Sequence, residues 1–171
     1  MNKNIVLIGM PGSGKSTLGK IIAAKLKKAF IDMDDYIELK EKKTIGEMFN
    51  INEEYFRDME SKYSAIVGKL SSHIIATGGG IIKRKENIES LKKNSTIVFI
   101  NRPVENIVRD INMKTRPLLK DGAEAVYRLY HERIHLYKEY SDIEVINEKE
   151  LEEVANIIIK KVGEWYENNC N

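Results

Sequence analysis

A chain of 171 residues falls in the usual range for one domain and is long enough to bury a full core. Its 28 basic and 26 acidic side chains leave a formal net charge of +2, which gives no reason to expect nucleic acid or an acidic membrane as partner and reads as a solvated surface. The one cysteine, Cys170, cannot form an internal disulfide and sits at a terminal position ill suited to a catalytic thiol; with no apolar run long enough for a bilayer and no secretory leader, a cytoplasmic protein is expected.

Asn4 to Ile8 is an apolar, β-branched run ended by Gly9, the pattern of a buried parallel strand. Gly9 to Gly14 is a loop, and from Lys15 the spacing turns helical, with Leu18, Ile21, Ile22 and Leu26 on one face. Ala29 to Ile31 is a second strand that runs into Asp32-Met33-Asp34-Asp35. A polar helical stretch follows to about Phe49. A further helix is predicted from about Glu53 to Leu70, with Phe56, Met59, Tyr63, Ile66 and Val67 along its apolar side. His73 to Thr77 is a third strand closed by Gly78-Gly79-Gly80; Lys83 to Lys93 reads as a surface helix and Thr96 to Ile100 as a fourth strand. From about Arg109 to Gly122 the chain is polar, and Pro117 disfavours helix at Arg116, so a loop or lid is predicted there. A helix from about Ala123 to Tyr140 and a fifth strand from Ile143 to Ile146 follow. A last helix carries the stripe Leu151, Val154, Ala155, Ile158, Ile159 and Val162. Strands alternating with helices predict one three-layer α/β domain over residues 1–171 with a mainly parallel sheet, and the chain shows no repeat or linker.

Gly9-Met10-Pro11-Gly12-Ser13-Gly14-Lys15-Ser16 matches G-x-x-x-x-G-K-[ST] in full, between a predicted strand and a predicted helix. The glycines let the backbone curl so that successive N–H groups face phosphate oxygens. The helix offers its positive end to the same anion, Lys15 reaches the β- and γ-phosphates, and the Ser16 hydroxyl can hold Mg²⁺. A glycine turn with a solvated lysine would not require that context. The motif identifies a nucleoside triphosphate but not the group that accepts the phosphoryl.

The acceptor side has to be read from weaker signals. Asp32 and Asp34 lie two apart at the end of the second strand, the sheet edge where open α/β proteins bind ligands. A carboxylate there can orient Mg²⁺ through water or take a proton from an attacking hydroxyl, although Asp-x-Asp is equally a solvated turn. Gly78, Gly79 and Gly80 close the third strand on the same edge, either as a flexible turn or where backbone approaches a ligand. Arg57 lies inside a predicted helix with Glu60 three residues on as a local ion-pair partner, and Arg133 lies four residues before Tyr137. Two arginines suit a small carboxylate, and Arg116 in the lid suits transferring phosphates, though each alone reads as a surface cation. His73, His131 and His135 form no metal-ligand pattern.

In order and spacing, the motifs at 9–17, Asp32-x-Asp34, Phe56-Arg57, Gly78-Gly79-Gly80, Arg116-Pro117-Leu118-Leu119 and Arg133-x-x-x-Tyr137 resemble the shikimate kinase family over essentially the whole chain. The resemblance implies a nucleoside monophosphate kinase type of fold, a five-stranded parallel sheet in the order 2-3-1-4-5 with a lid. It implies ATP- and Mg²⁺-dependent phosphorylation of the 3-hydroxyl of shikimate, giving shikimate 3-phosphate and ADP on the way to chorismate and aromatic amino acids. By the same resemblance, Gly12, Ser13, Gly14, Lys15, Ser16 and Thr17 hold the ATP phosphates, and Ser16 binds Mg²⁺ with Asp32 assisting through water. Asp34 binds the acceptor and orients or deprotonates its hydroxyl. Arg57 and Arg133 clamp the carboxylate, and Gly78, Gly79 and Gly80 present backbone to the ring. Arg116 closes onto the phosphates, with Lys15 and Asp34 completing the catalytic set. Arg109 sits near adenine, whose contacting loop falls near Asn147 to Lys149, where the resemblance is thinnest.

Three rival readings differ in kind. A kinase of the same fold acting on gluconate or a nucleoside monophosphate would not call for the paired arginines and triple glycine. A GTP-dependent switch would carry Asn-Lys-x-Asp and Asp-x-x-Gly, and neither string occurs. A binding module without catalysis would not need to keep Lys15, Ser16, Asp32, Asp34 and Arg116 together. A monomer is expected, since no apolar stripe is left without a partner.

Overall fold

A computed structural model describes residues 2–110 and 122–169. Five short apolar runs become parallel strands: β1 (Asn4–Ile8), β2 (Ala29–Asp32), β3 (His73–Ala76), β4 (Ser95–Asn101) and β5 (Ile143–Ile146). They lie in the order β2-β3-β1-β4-β5, as expected. β1 pairs with β3 from Ile5–Ile74 to Leu7–Ala76 and with β4 from Asn4–Ser95 to Ile8–Phe99. The central strands are covered on both faces, which is why β1 reads as a continuous apolar run rather than an alternating one.

Period-two geometry splits those runs between two cores. Ile5 and Leu7 of β1, with Val98 and Ile100 of β4, meet α1 (Lys15–Leu26) and α8 (Leu151–Asn169) through Leu18, Ile22, Val154, Ile158 and Val162. Val6, Ile8, Ile97 and Phe99 point the other way. They meet the layer made by α2 (Met33–Glu41), α3 (Ile45–Ile51), α4 (Glu53–Val67), α5 (Lys85–Lys92), α6 (Val104–Asp110) and α7 (Ala123–Tyr140).

The helices depart from the sequence reading in instructive places. The polar stretch before Phe49 is two helices, not one. Lys42 takes a left-handed φ of 53°, and Thr44 starts α3 with a capping box, its hydroxyl accepting from the Glu47 N–H at 3.2 Å. α4 stops at Val67; the next residue, Gly68, leaves no room for a side chain beside the Ser90 carbonyl of α5, and Ile66, expected on the apolar side, is exposed. The surface helix begins at Lys85, after a 3₁₀ turn over Ile81–Lys83. α6 was not anticipated; the Pro103 carbonyl accepts the N–H groups of Asn106 and Ile107 at 3.0 and 3.1 Å and so begins it. Cys170 and the segment Arg116-Pro117-Leu118-Leu119 lie outside the described residues. Among the described residues no helix is long and apolar enough to cross a membrane.

Candidate active site

The carboxyl ends of β1, β2 and β3 open into one cleft of about 600 Å³, lined by the phosphate loop, Asp32, Asp34, Arg57, Glu60 and Thr77 to Gly80. At its phosphate end, Gly12 and Gly14 take φ of 82° and 94°, a region that glycine enters without a steric penalty. The buried Lys15 ammonium donates to the carbonyls of Gly9 at 2.9 Å and Met10 at 2.8 Å, and contacts the Ser13 hydroxyl at 3.4 Å. Asp32 has two duties. Its Oδ1 caps α2 by accepting from the N–H groups of Asp34 (3.1 Å) and Asp35 (3.4 Å), and its Oδ2 accepts from the Ser16 hydroxyl. The spacing that looked like a loose Asp-x-Asp turn is therefore a helix start tied to the phosphate loop.

Asp34, in the first turn of α2, turns into the acceptor end. Its Oδ1 is buried and finds no hydrogen-bond partner among the described residues. Burial, then the charges of Glu60 and Asp32, push its carboxyl up to about 7, against the opposing pull of Lys15. Glu60 is itself buried, and burial raises its pKa despite the nearby cations Arg57, Arg133 and Lys83. Arg57 is 4% exposed. Its guanidinium bonds Glu60 Oε2 at 2.5 Å and Glu53 Oε1 at 3.0 Å, and it lies over the rings of Phe56 (5.2 Å) and Phe49 (5.7 Å).

The three glycines prove to have three different neighbours, so the flexible-turn reading is set aside. A Cβ on Gly78 would stand 2.8 Å from Asp34 Oδ1 and 3.2 Å from Glu60 Oε1. One on Gly79 would meet the Pro11 ring at 2.6 Å, and one on Gly80 would collide with the Arg57 guanidinium. The Gly79 carbonyl accepts the Tyr137 hydroxyl at 2.6 Å. Tyr137 is fully buried against Phe99, and burial pushes its phenol up to about 12. Arg133, one turn earlier on α7, is buried, acts on Glu60 and Tyr137 through its charge, and leaves Nη1 without a partner among the described residues.

A second cleft, of about 340 Å³, lies on the β4–β5 side. Arg109, Arg102, Asn106 and residues 147–151 line it, and Gly14 and Thr17 line both clefts. Arg109 is thus separated from the acceptor end and sits with the loop after β5, held by Asn106 Oδ1 at 2.7 Å. Sequence reasoning missed the approach of Glu60 to Asp34, Phe49 as a cleft wall beside the Phe56 of the Phe56-Arg57 motif, and Arg102. Only Glu60 had a usable signal, its i,i+3 spacing from Arg57.

A phosphate loop at the carboxyl edge of a 2-3-1-4-5 parallel sheet, opening onto a pocket with a basic carboxylate and a buried guanidinium, defines a P-loop kinase of small metabolites. A family model for shikimate kinase matches residues 11–163. A shikimate kinase of Clostridium botulinum (strain Eklund 17B / Type B) is 49% identical over 160 residues, covering 94% of this chain and 97% of its own. A shikimate kinase of Clostridium beijerinckii is 45% identical over 169 residues, covering 99% and 100%. The solved structure of shikimate kinase from Acinetobacter baumannii in complex with shikimate superposes with a TM-score of 0.90 at 30% identity, covering 99% of this chain and 96% of that one. The chain belongs to the shikimate kinase family.

Proposed function

We propose that this chain, acting as one monomeric domain over residues 1–171 in the cytoplasm, transfers the γ-phosphoryl of ATP to the 3-hydroxyl of shikimate. The observation that carries this reading is the acceptor end of the cleft, where the Asp34 carboxyl and the buried Arg57 guanidinium meet the backbone of Gly78 to Gly80; among the described residues, Asp34 Oδ1 and Arg133 Nη1 are buried without a hydrogen-bond partner. Buried polar atoms find partners. An acceptor that brings a hydroxyl to the first and a carboxylate to the second, with Arg57 as the other half of the clamp, satisfies both. Asp34 receives the hydroxyl proton as the oxygen attacks the γ-phosphorus and the bond to the bridging oxygen of ADP breaks. Its raised pKa suits a base working near neutral pH. Lys15 and the loop from Gly12 to Thr17 hold the phosphates, and the backbone of Gly78 to Gly80 faces the ring. Arg109 serves the base end. Arg116 keeps the role that the sequence implies for it and lies outside the described residues.

Mg²⁺ fits the Ser16–Asp32 pair. A hydroxyl and a carboxylate in direct contact are hard oxygen donors, and Mg²⁺ is usually held by one or two protein oxygens plus phosphates and water rather than by a protein cage. Among the described residues no group of three His, Cys, Asp or Glu forms such a cage. When bound, the ion neutralises charge on the β- and γ-phosphates.

The test is ADP release from Mg²⁺-ATP with shikimate, gluconate, CMP or AMP, and with no acceptor. Release that depends on shikimate alone is expected. Release with another acceptor and none with shikimate would overturn the assignment. Size-exclusion chromatography tests the monomer.

A further inference from the structure

We propose that Arg102 and Asn147, which lie outside every motif of the phosphate loop, are positioning residues that latch two consecutive loop carbonyls and thereby aim the phosphate-binding N–H groups. The proposal rests on the kinase reading only in taking the bound anion to be a nucleotide's phosphates.

Asn147 follows the last residue of β5. It is 6% exposed, its backbone N–H donates to the Asn101 carbonyl at the end of β4 at 2.9 Å, and its Nδ2 donates to the Ser13 carbonyl at 2.8 Å. Arg102 follows the last residue of β4. Its Nη1 donates to the Gly12 carbonyl at 3.1 Å while Nη2 is paired with Asp110 at the end of α6. Each donor is therefore held at a second point, and the two act on neighbouring peptides of the loop.

In a planar trans peptide the C=O and the next N–H point in opposite directions. Holding the Ser13 carbonyl toward Asn147 turns the Gly14 N–H to the other side, at the start of α1. There the first N–H groups have no intrahelical acceptor and face an anion. Holding the Gly12 carbonyl toward Arg102 turns the Ser13 N–H inward, where it closes the loop on the Met10 carbonyl at 3.1 Å and so fixes the curl that carries the Gly14 N–H. Gly14 records the crowding: a Cβ there would stand 2.9 Å from Asn147 Nδ2. Both latch residues also line the second cleft, at the seam it shares with the phosphate end through Gly14 and Thr17.

The experiment titrates the full chain with ADP and with inorganic pyrophosphate, comparing wild type with Asn147→Leu, Arg102→Ala and Arg102→Gln, and follows turnover with ATP and shikimate. Leucine keeps the shape of asparagine without the donor; glutamine removes the charge of Arg102 and keeps an amide donor two bonds nearer the backbone. One lost donor should weaken ADP and pyrophosphate by the same factor, about three- to tenfold. The KM for ATP should rise in step while that for shikimate stays unchanged, and Arg102→Gln should be impaired along with Arg102→Ala. Weakening of ADP alone would assign both residues to the base end and overturn the latch. So would unchanged affinities. If Asn147→Leu does not fold, the partly exposed Arg102 pair of variants decides the question. Absence of shikimate-dependent turnover in the wild type, with the pyrophosphate differences intact, would sink the acceptor assignment and leave the latch standing.

Discussion

Replacing Asp34 by asparagine should raise the stability of the fold while removing turnover, because the carboxylate is held against its surroundings. Its ordinary pKa of 3.8 is pushed up to about 7, chiefly by burial and then by Glu60 and Asp32. A displacement of about three pH units, at about 1.4 kcal/mol each, separates the charged and neutral forms by about 4 kcal/mol. The sign follows from the two states. Below pH 3.8 the group is protonated whether folded or unfolded and costs nothing. Between 3.8 and about 7 the unfolded chain ionises while the folded one does not, so stability falls as pH rises; above about 7 the full cost is present. Asparagine keeps the shape without the charge. If water relieves half the cost, about 2 kcal/mol is recovered, which for a chain of this length is about 4–8 °C in melting temperature. Thermal melts of Asp34→Asn and wild type at pH 4, 6 and 8 should show a gap that opens across this window and is flat above it. kcat should fall by about 10²–10⁴, the usual scale for a lost general base, with ATP binding little changed. A gap of the same size at pH 4 and 8, or a less stable variant at pH 8, would refute the electrostatic reasoning. An equal loss of ATP affinity would remove Asp34 from the acceptor.

In the wild type, kcat/KM for shikimate should rise about tenfold per pH unit up to about 7 and then level, as Asp34 loses its proton; a profile flat from pH 5 to 8 would contradict a base with a raised pKa. Arg57→Ala should raise the KM for shikimate far more than that for ATP. It should also cost about 3–5 kcal/mol in a denaturant melt by leaving Glu60 buried without its partner. Adding Glu60→Gln should return much of the stability and none of the shikimate affinity. Gly80→Ala and Gly79→Ala should separate by substrate: the first displaces Arg57 and raises the KM for shikimate, whereas the second presses on Pro11 of the phosphate loop and raises the KM for ATP. The same substrate affected by both would contradict the steric assignment.

The parts of the site that were legible in the sequence are those whose geometry is local. The phosphate loop is one strand, one turn and one helix start, so its residue types and their spacing are nearly the whole structure. The ion pair of Arg57 with Glu60 follows from three residues on one helix face. Family resemblance implies the sheet order, whereas the strands themselves are visible because burial on both faces leaves unbroken apolar runs. Helix ends were less visible. Lys42 in a left-handed turn is followed by the Thr44–Glu47 capping box, and Gly68 sits against the Ser90 carbonyl of another helix; periodicity reports neither contact.

The unread part of the site has a common physical form: one partner in each contact is charged or polar, and the other is far along the chain or is backbone. Glu60 faces Asp34 across Gly78, so neither the burial that chiefly raises the Asp34 pKa nor the Glu60 charge that adds to it is visible until β2, β3 and α4 have converged. Arg102 and Asn147 act on carbonyls, which every residue possesses and which leave no trace in residue type. What the sequence does record is the absence of side chains where such contacts crowd the backbone. Gly14 beside Asn147, Gly78 beside Asp34 and Glu60, and Gly80 beside Arg57 each mark a place where another part of the chain arrives. In this protein the glycines at the carboxyl edge of the sheet are better read as imprints of their neighbours than as points of flexibility. The different outcomes expected for Gly79→Ala and Gly80→Ala follow from that reading alone.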